Sequence, residues 1–239
     1  MSAPPTLLSV DQLHAHYGKS HILHGVSFEV RRNEVVSLLG RNGSGRSTTM
    51  KALMGLVPPT SGHVVLQGRE ITGLRPFTIC RAGLGFVPEE REVFGNLTVD
   101  ENLHMGEQPA VAGAVQWTVD QMFDYFPRLK ERRNTKAASL SGGEQQMLTI
   151  CRSLLGNPLV LLVDEPTEGL APKIVTAVGE CIRDMHQRGV SVVLVEQKLA
   201  IALKVSTRVC VMGHGRIVFE GTPAELSSNE QLLTDWLAV

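Results

Sequence analysis

Gly40-Arg41-Asn42-Gly43-Ser44-Gly45-Arg46-Ser47-Thr48 follows directly on an apolar, β-branched stretch, Glu34–Leu39, and runs into a segment of helical character, Ser47–Leu56. Gly40, four residues, then Gly45-Arg46-Ser47 nearly fits G-x-x-x-x-G-K-[ST]. The spacing has a chemical reason. Gly40, Gly43 and Gly45 let consecutive backbone N–H groups of the loop, including those of Asn42 and Ser44, turn inward around an anion. The helix that follows adds the positive end of its dipole. Ser47 is placed to coordinate a Mg²⁺ that bridges phosphates, and Thr48 to donate on the α-phosphate side. The competing reading of the loop alone is a glycine-rich turn between a strand and a helix.

Arg46 departs from the pattern. Arginine keeps the positive charge of the usual lysine, but it is longer, planar and forked. Three readings follow: Arg46 binds nucleotide and supports slow hydrolysis, binds it with almost none, or works normally in an adapted loop.

A second acidic motif lies more than a hundred residues downstream. Leu159-Val160-Leu161-Leu162-Val163-Asp164-Glu165 reads as a buried strand ending in two carboxylates. Such a strand delivers its C-terminal residues to the ligand edge of a parallel sheet. Asp164 would then hold Mg²⁺, and Glu165 would orient or deprotonate an attacking water. The bland alternative is a strand end carrying two solvated acids.

Working outward, residues 7–39 read as strands, with a polar turn at Arg31–Asn33. Pro58–Gly62 reads as a turn, and His63–Gln67 with Ile71 as a small antiparallel segment. From Pro76 to about Asn157 the periodicity is helical, as in Val115, Val119, Met122, Phe123 and Phe126. Pro172–Gln187 and Leu199–Val205 read as helices, and Val192–Val195 and Arg208–Met212 as strands. Gly215–Glu220 reads as a last strand and Pro223–Val239 as helical. The alternation predicts a parallel sheet with crossover helices. The expected fold is α/β, with a mainly parallel core sheet, an antiparallel β subdomain and an inserted helical lobe. It forms a single domain over 1–239, with a core lobe of 1–75 and 158–239 and a mostly helical lobe of 76–157.

Composition narrows the function. Lys+Arg (23) balance Asp+Glu (24) and aromatics are 5%, so no nucleic-acid partner is expected. Apolar runs such as Leu159–Val163 fall far short of the roughly 20 residues of a membrane helix. The start, MSAPPTLLSVDQ, does not read as a secretory signal. Cys80, Cys151, Cys181 and Cys210 read as isolated reduced thiols, and the eight histidines show no metal-ligand set.

Leu140-Ser141-Gly142-Gly143-Glu144-Gln145-Gln146 precedes an expected helix, Met147–Leu155, and here the sequence resembles the ATP-binding cassette family. The resemblance covers essentially the whole chain and implies that the α/β fold is a P-loop NTPase cassette. It implies that Ser141, Gly142 and Gly143 cap the γ-phosphate held by a second subunit's loop, two ATPs being sandwiched in a head-to-tail dimer. It implies that Tyr17 stacks on adenine, with an ordinary strand tyrosine as the alternative. Glu89 stands where the family has a glutamine that touches Mg²⁺ and the membrane subunit. Gln197 stands at the switch-histidine position, and Ala171 replaces the aspartate of a dimer-contact loop.

PExRxVF, LTVxENL, SGGEQQML, EGLAP and LVEQ together look like an ATPase subunit of branched-chain amino-acid importers, a branch that extends to amides and other small polar solutes. That resemblance implies integral-membrane permease partners, a second ATPase subunit in a heterodimer or homodimer, and indirectly a periplasmic solute-binding protein. It places the chain in the cytoplasm, peripheral on the inner membrane. Competing readings are a nucleotide-binding subunit that hydrolyses weakly or not at all because of Arg46, and a cassette ATPase of translation or DNA repair. The latter would carry tandem cassettes or coiled-coil arms. A kinase or GTPase would not explain LSGGEQQ.

Overall fold

Three five-residue strands with no exposed position form the centre of the protein: β3 (Val35–Leu39), β7 (Val160–Asp164) and β8 (Ser191–Val195). Strands covered on both faces read as continuous apolar runs, as these do. The computed structural model describes residues 5–237. With β6 (Leu84–Val87), β9 (Arg208–Gly213) and β10 (Arg216–Gly221) the three form a six-stranded sheet in the order β10-β9-β3-β8-β7-β6. All pairings are parallel except β9–β10 at the edge. The carboxyl ends of β3, β8, β7 and β6 therefore point the same way. They deliver Gly40, Glu196-Gln197, Asp164-Glu165 and Pro88-Glu89 to one edge of the sheet, where ligands of open α/β sheets bind.

A second, antiparallel sheet has the order β2-β1-β4-β5, formed by β1 (Thr6–Tyr17), β2 (Ser20–Arg31), β4 (Pro59–Leu66) and β5 (Arg69–Glu70). Its inner face shares a core with α1 (Arg46–Leu53) and α2 (Pro76–Arg81) and with one face of the six-stranded sheet. The other face carries α3 (Val99–His104), α4 (Val119–Tyr125), α5 (Pro127–Glu131), α6 (Gly142–Leu154) and α7 (Pro172–Gln187). A smaller cluster joins α8 (Leu199–Val205), α9 (Pro223–Ser227) and α10 (Glu230–Leu237) to β9. Among the described residues no helix is long and apolar enough to cross a membrane.

Four expectations need correction. The mostly helical lobe expected over 76–157 includes part of the core: Leu84–Val87 is a strand of the core sheet, paired in parallel with β7, and Ile79 of α2 belongs to the first core. Pro58–Gly62 is not a turn, because β4 begins at Pro59. Gly62 is what admits the strand there: its φ is +97°, and a Cβ would stand 2.3 Å from the Gln12 carbonyl at a bulge of β1. Val115 lies outside α4, whose start is set by the Thr118–Gln121 capping box. The C-terminal helical stretch breaks in two at Ser228–Asn229, where Asn229 Oδ1 accepts from the Leu232 N–H. Its expected end at Val239 lies outside the described residues.

Arg208 ties the two sheets together. Its guanidinium grips Glu34 with two bonds of 2.8 Å and also reaches the Glu29 carbonyl and Glu220. Burial pushes the Glu34 carboxyl up, but the Arg208 fork and the Arg31 N–H outweigh it and hold the group below its ordinary value. Removing one partner leaves a half-buried charge alone. Arg208→Ala should therefore cost about 3 kcal/mol in denaturant unfolding at neutral pH.

Candidate active site

The loop Gly40–Thr48 is shaped by backbone conformations that favour glycine. Gly43 and Gly45 have φ of +79° and +105°. At Gly40, φ is +152°, and a Cβ would sit 2.4 Å from the Met212 carbonyl, so β9 excludes any side chain. Two observations make the loop fit an anion. No side chain caps the start of α1, whose first N–H groups have no intrahelical partners. The buried Ser44 hydroxyl has no hydrogen-bond partner. Buried polar groups without partners are rare, and one in a glycine-rich loop ahead of a free helix start suits phosphate oxygens.

Beside the loop, the Ser47 hydroxyl donates to Asp164 Oδ1 at 3.2 Å, pairing the two residues expected to hold Mg²⁺. Hydroxyl and carboxylate oxygens are the donors Mg²⁺ takes. Burial raises the Asp164 carboxyl, against the Ser47 bond and the Arg46 charge. Thr48 follows in the first turn of α1.

Arg46 does not project into open solvent. It is 5% exposed and lies 3.2 Å from Glu165 Oε1, itself 7% exposed. It also donates to Asn42 Oδ1 at 3.3 Å and to the Glu196 carbonyl at 3.5 Å. Glu165 has φ of +44°, unfavourable for a residue with a side chain, and its N–H is fixed by the Val195 carbonyl at the end of β8. Its other carboxylate oxygen accepts from Gln197. Burial raises the Glu165 pKa to about 7, while Arg46 and Gln197 pull the other way.

Glu89, expected as a metal ligand, is within charge range of Asp164, but its oxygens group with those of Glu165 and Glu168, all within 4.8 Å of one another. Burial first and Glu168 next raise its pKa. Glu168 opens the EGLAP motif and lies three residues beyond Glu165, but the sequence reading gives it no role of its own. Arg91, the arginine of PExRxVF, is likewise given no role of its own. It donates to the Glu168 carbonyl at 2.9 Å, and its Nη1 lies where a Cβ on Gly142 would be 2.5 Å away. It thus links the segment after β6, the loop after β7 and the start of α6.

Helix α6 begins inside the Leu140–Gln146 segment rather than at Met147. Ser141 is its N-cap, and Gly142 and Gly143 form its first turn. The reason is a capping box: the Glu144 carboxylate accepts from the Ser141 N–H and hydroxyl, both at 2.8 Å. Glu144 thus serves the helix start. Among the described residues no hydrogen bond joins Ser141–Gly143 to the phosphate loop of the same chain. Tyr17 is 49% exposed at the β1–β2 turn. Its hairpin reaches the loop region through the His24 N–H, which donates to the Gly215 carbonyl, while the Gly215 N–H donates to Ser44.

A parallel sheet whose edge carries a phosphate loop, a paired hydroxyl and aspartate, and a buried glutamate defines a P-loop NTPase. Residues 23–168 match the family model described as ABC transporter, and the chain belongs to that family. It is 44% identical to the high-affinity branched-chain amino acid transport ATP-binding protein BraG of Pseudomonas aeruginosa, over 97% of this chain and 99% of the relative. It is 37% identical to the probable branched-chain amino acid transport ATP-binding protein LivF of Archaeoglobus fulgidus, over 94% and 96%. The crystal structure of a nucleotide-free ATP-binding cassette from an ABC transporter superposes with a TM-score of 0.82 at 24% identity, covering 96% of this chain and 98% of the other, and shows the fold alone.

Proposed function

We propose that the chain is the ATP-binding and ATP-hydrolysing subunit of an importer for branched-chain amino acids or related small polar solutes. The observation that carries this is the assembly of the phosphate loop, Asp164-Glu165 and Gln197 on one sheet edge, in a chain 44% identical to BraG along nearly its whole length.

ATP is the substrate. The N–H groups of Gly40–Thr48 and the Ser44 hydroxyl take its phosphates, and Tyr17 takes the adenine. Ser47 and Asp164 would hold Mg²⁺, which when bound supplies positive charge to the phosphate oxygens. Glu165 accepts a proton from the attacking water, whose oxygen bonds to the γ-phosphorus as ADP leaves. Gln197 keeps the carboxylate aimed. Ser141, Gly142 and Gly143 serve the loop of a second ATPase subunit, in a heterodimer or homodimer. The Ser141 hydroxyl then exchanges its Glu144 partner for phosphate. Glu165, Gln197, Ser47 and Asp164 standing together favour turnover over a subunit that only binds.

Membrane permease subunits give the dimer its work. A groove of about 440 Å³ is lined by Phe77, Cys80, Phe94, Met105 and Arg152, with Phe77 and Met105 exposed. It adjoins the segment after Glu89, so a docked permease element is coupled to the site. In this reading the chain sits on the cytoplasmic face of the inner membrane, and a periplasmic binding protein supplies the solute.

The Glu165 value sets a pH dependence. As a base it acts when deprotonated, so kcat/KM for ATP rises with pH through about 7 and levels off above it. A pH–rate profile checks this, and the limb disappears with Glu165→Gln. The function itself is tested by reconstituting the chain with its permease and binding-protein partners in vesicles. ATP-dependent uptake of labelled leucine or a small amide is expected; ATP turnover without uptake of either would reject the importer reading.

A further inference from the structure

Four of the eight histidines fall between residues 14 and 24, and the β1–β2 hairpin brings them together. His14 and His16 are two apart on one strand and so share a face; His24 and His21 are their cross-strand partners. His14 Nδ1 and His21 Nε2 face each other at 3.1 Å. The His21 ring stacks on His16 at 4.0 Å and 9° and meets the His24 ring at 3.9 Å. His16 is itself anchored through Nδ1, 3.2 Å from the Thr60 hydroxyl. This cluster is separate from the phosphate loop, and the chemistry described above does not use it.

We propose that His14 and His21 form a chelating pair for a late first-row divalent cation of the Cu²⁺, Ni²⁺ or Zn²⁺ type. Two imidazole nitrogens about 2.0–2.1 Å from one metal, at square-planar to tetrahedral angles, lie about 2.9–3.4 Å apart, and 3.1 Å falls inside that interval. In the metal-free pair one nitrogen donates its proton to the other. The ion displaces that proton, standing to one side of the line between the two nitrogens so that both rings pivot toward it, and the proton moves to the outward nitrogen of its own ring, so that no proton is released. The His16 and His24 rings packed on His21 hold its donor in place, and the Thr60 contact orients His16, as outer partners do around metal-bound histidines. Imidazole suits these ions, whereas the carboxylates of Glu89, Glu165 and Glu168 suit Mg²⁺ or Mn²⁺. The ion would cross-link β1 to β2 beside the turn that carries Tyr17. With His21 exposed, the remaining coordination positions go to water.

The test is a Cu²⁺ titration of the full chain in a non-coordinating buffer, read by electron paramagnetic resonance. One ion per chain with couplings from two imidazole nitrogens is expected. His21→Gln should weaken binding at least about tenfold and remove one nitrogen coupling, and His14→Gln should do the same. His21 is exposed and His14 half-buried, glutamine keeps a polar side chain at each, and an unchanged circular dichroism spectrum and ATP binding check that both variants fold. His186→Gln, on α7, should bind as the unaltered chain does. Wild-type affinity in the His14→Gln/His21→Gln double variant, or a spectrum with oxygen ligands alone, would overturn the assignment.

Discussion

Glu165→Gln lowers ATP turnover by about 10²–10⁴-fold, the usual contribution of a positioned general base, while nucleotide binding survives. The separation follows from the geometry. Glu165 is held from behind, by its N–H on the Val195 carbonyl and its carboxylate on Gln197; its link to the phosphate loop is the Arg46 ion pair, whose loss in the glutamine variant leaves that cation free for phosphate. Glutamine has nearly the same shape and leaves the Ser47–Asp164 pair untouched. It cannot accept a proton, so the chemical step suffers and binding does not. Phosphate release under saturating ATP measures the first effect and equilibrium binding of labelled ATP the second. A variant that loses both equally would place Glu165 in binding rather than catalysis.

Arg46→Lys raises kcat/KM for ATP by about tenfold, the equivalent of one charge-assisted hydrogen bond no longer broken on the way to the transition state. In the nucleotide-free chain the guanidinium holds Glu165, Asn42 and the Glu196 carbonyl together. Phosphates entering the loop compete for the same cation, and Glu165 acts as a base only after the pair has parted. An ammonium is a compact point charge and cannot span all three partners at once. A second readout separates this from a general improvement of the loop. Arg46 draws the Glu165 pKa down against burial, so weaker pairing moves the pH limb above 7. A faster variant with an unmoved limb would show that Arg46 affects phosphate binding and leaves Glu165 alone.

The parts of the site that were legible in the sequence are those attached to strand ends. Gly40–Thr48 follows β3 and Asp164-Glu165 close β7, so apolar runs with polar termini announce them, while Gln197, just beyond β8, was placed by the family resemblance. The Arg46–Glu165 pair was not legible. It joins residues far apart in the chain through a side-chain conformation that no spacing rule encodes. Glu168 and Arg91 were hidden for a related reason, since each matters through a contact across loops.

In the fold, β6 was missed because Leu84-Gly85-Phe86-Val87 is only four residues long, beside the helical α2. Serine and glutamate three apart at Ser141 and Glu144 do write a capping box. Its meaning was obscured because the same residues also fit an anion-binding segment, and both uses rest on the free N–H groups of a helix start. The histidines could be counted in the sequence, but their convergence depended on the hairpin register.

The most direct test of the account is the nucleotide held by Glu165→Gln after incubation with Mg²⁺ and ATP, in the presence of its partner subunits, followed by rapid removal of free ligand. The account predicts uncleaved ATP on the chain, labelled by a photoreactive analogue at the Gly40–Thr48 loop, with ADP scarce. Recovery of ADP at the rate given by the unaltered chain, or of no nucleotide at that loop, would contradict it.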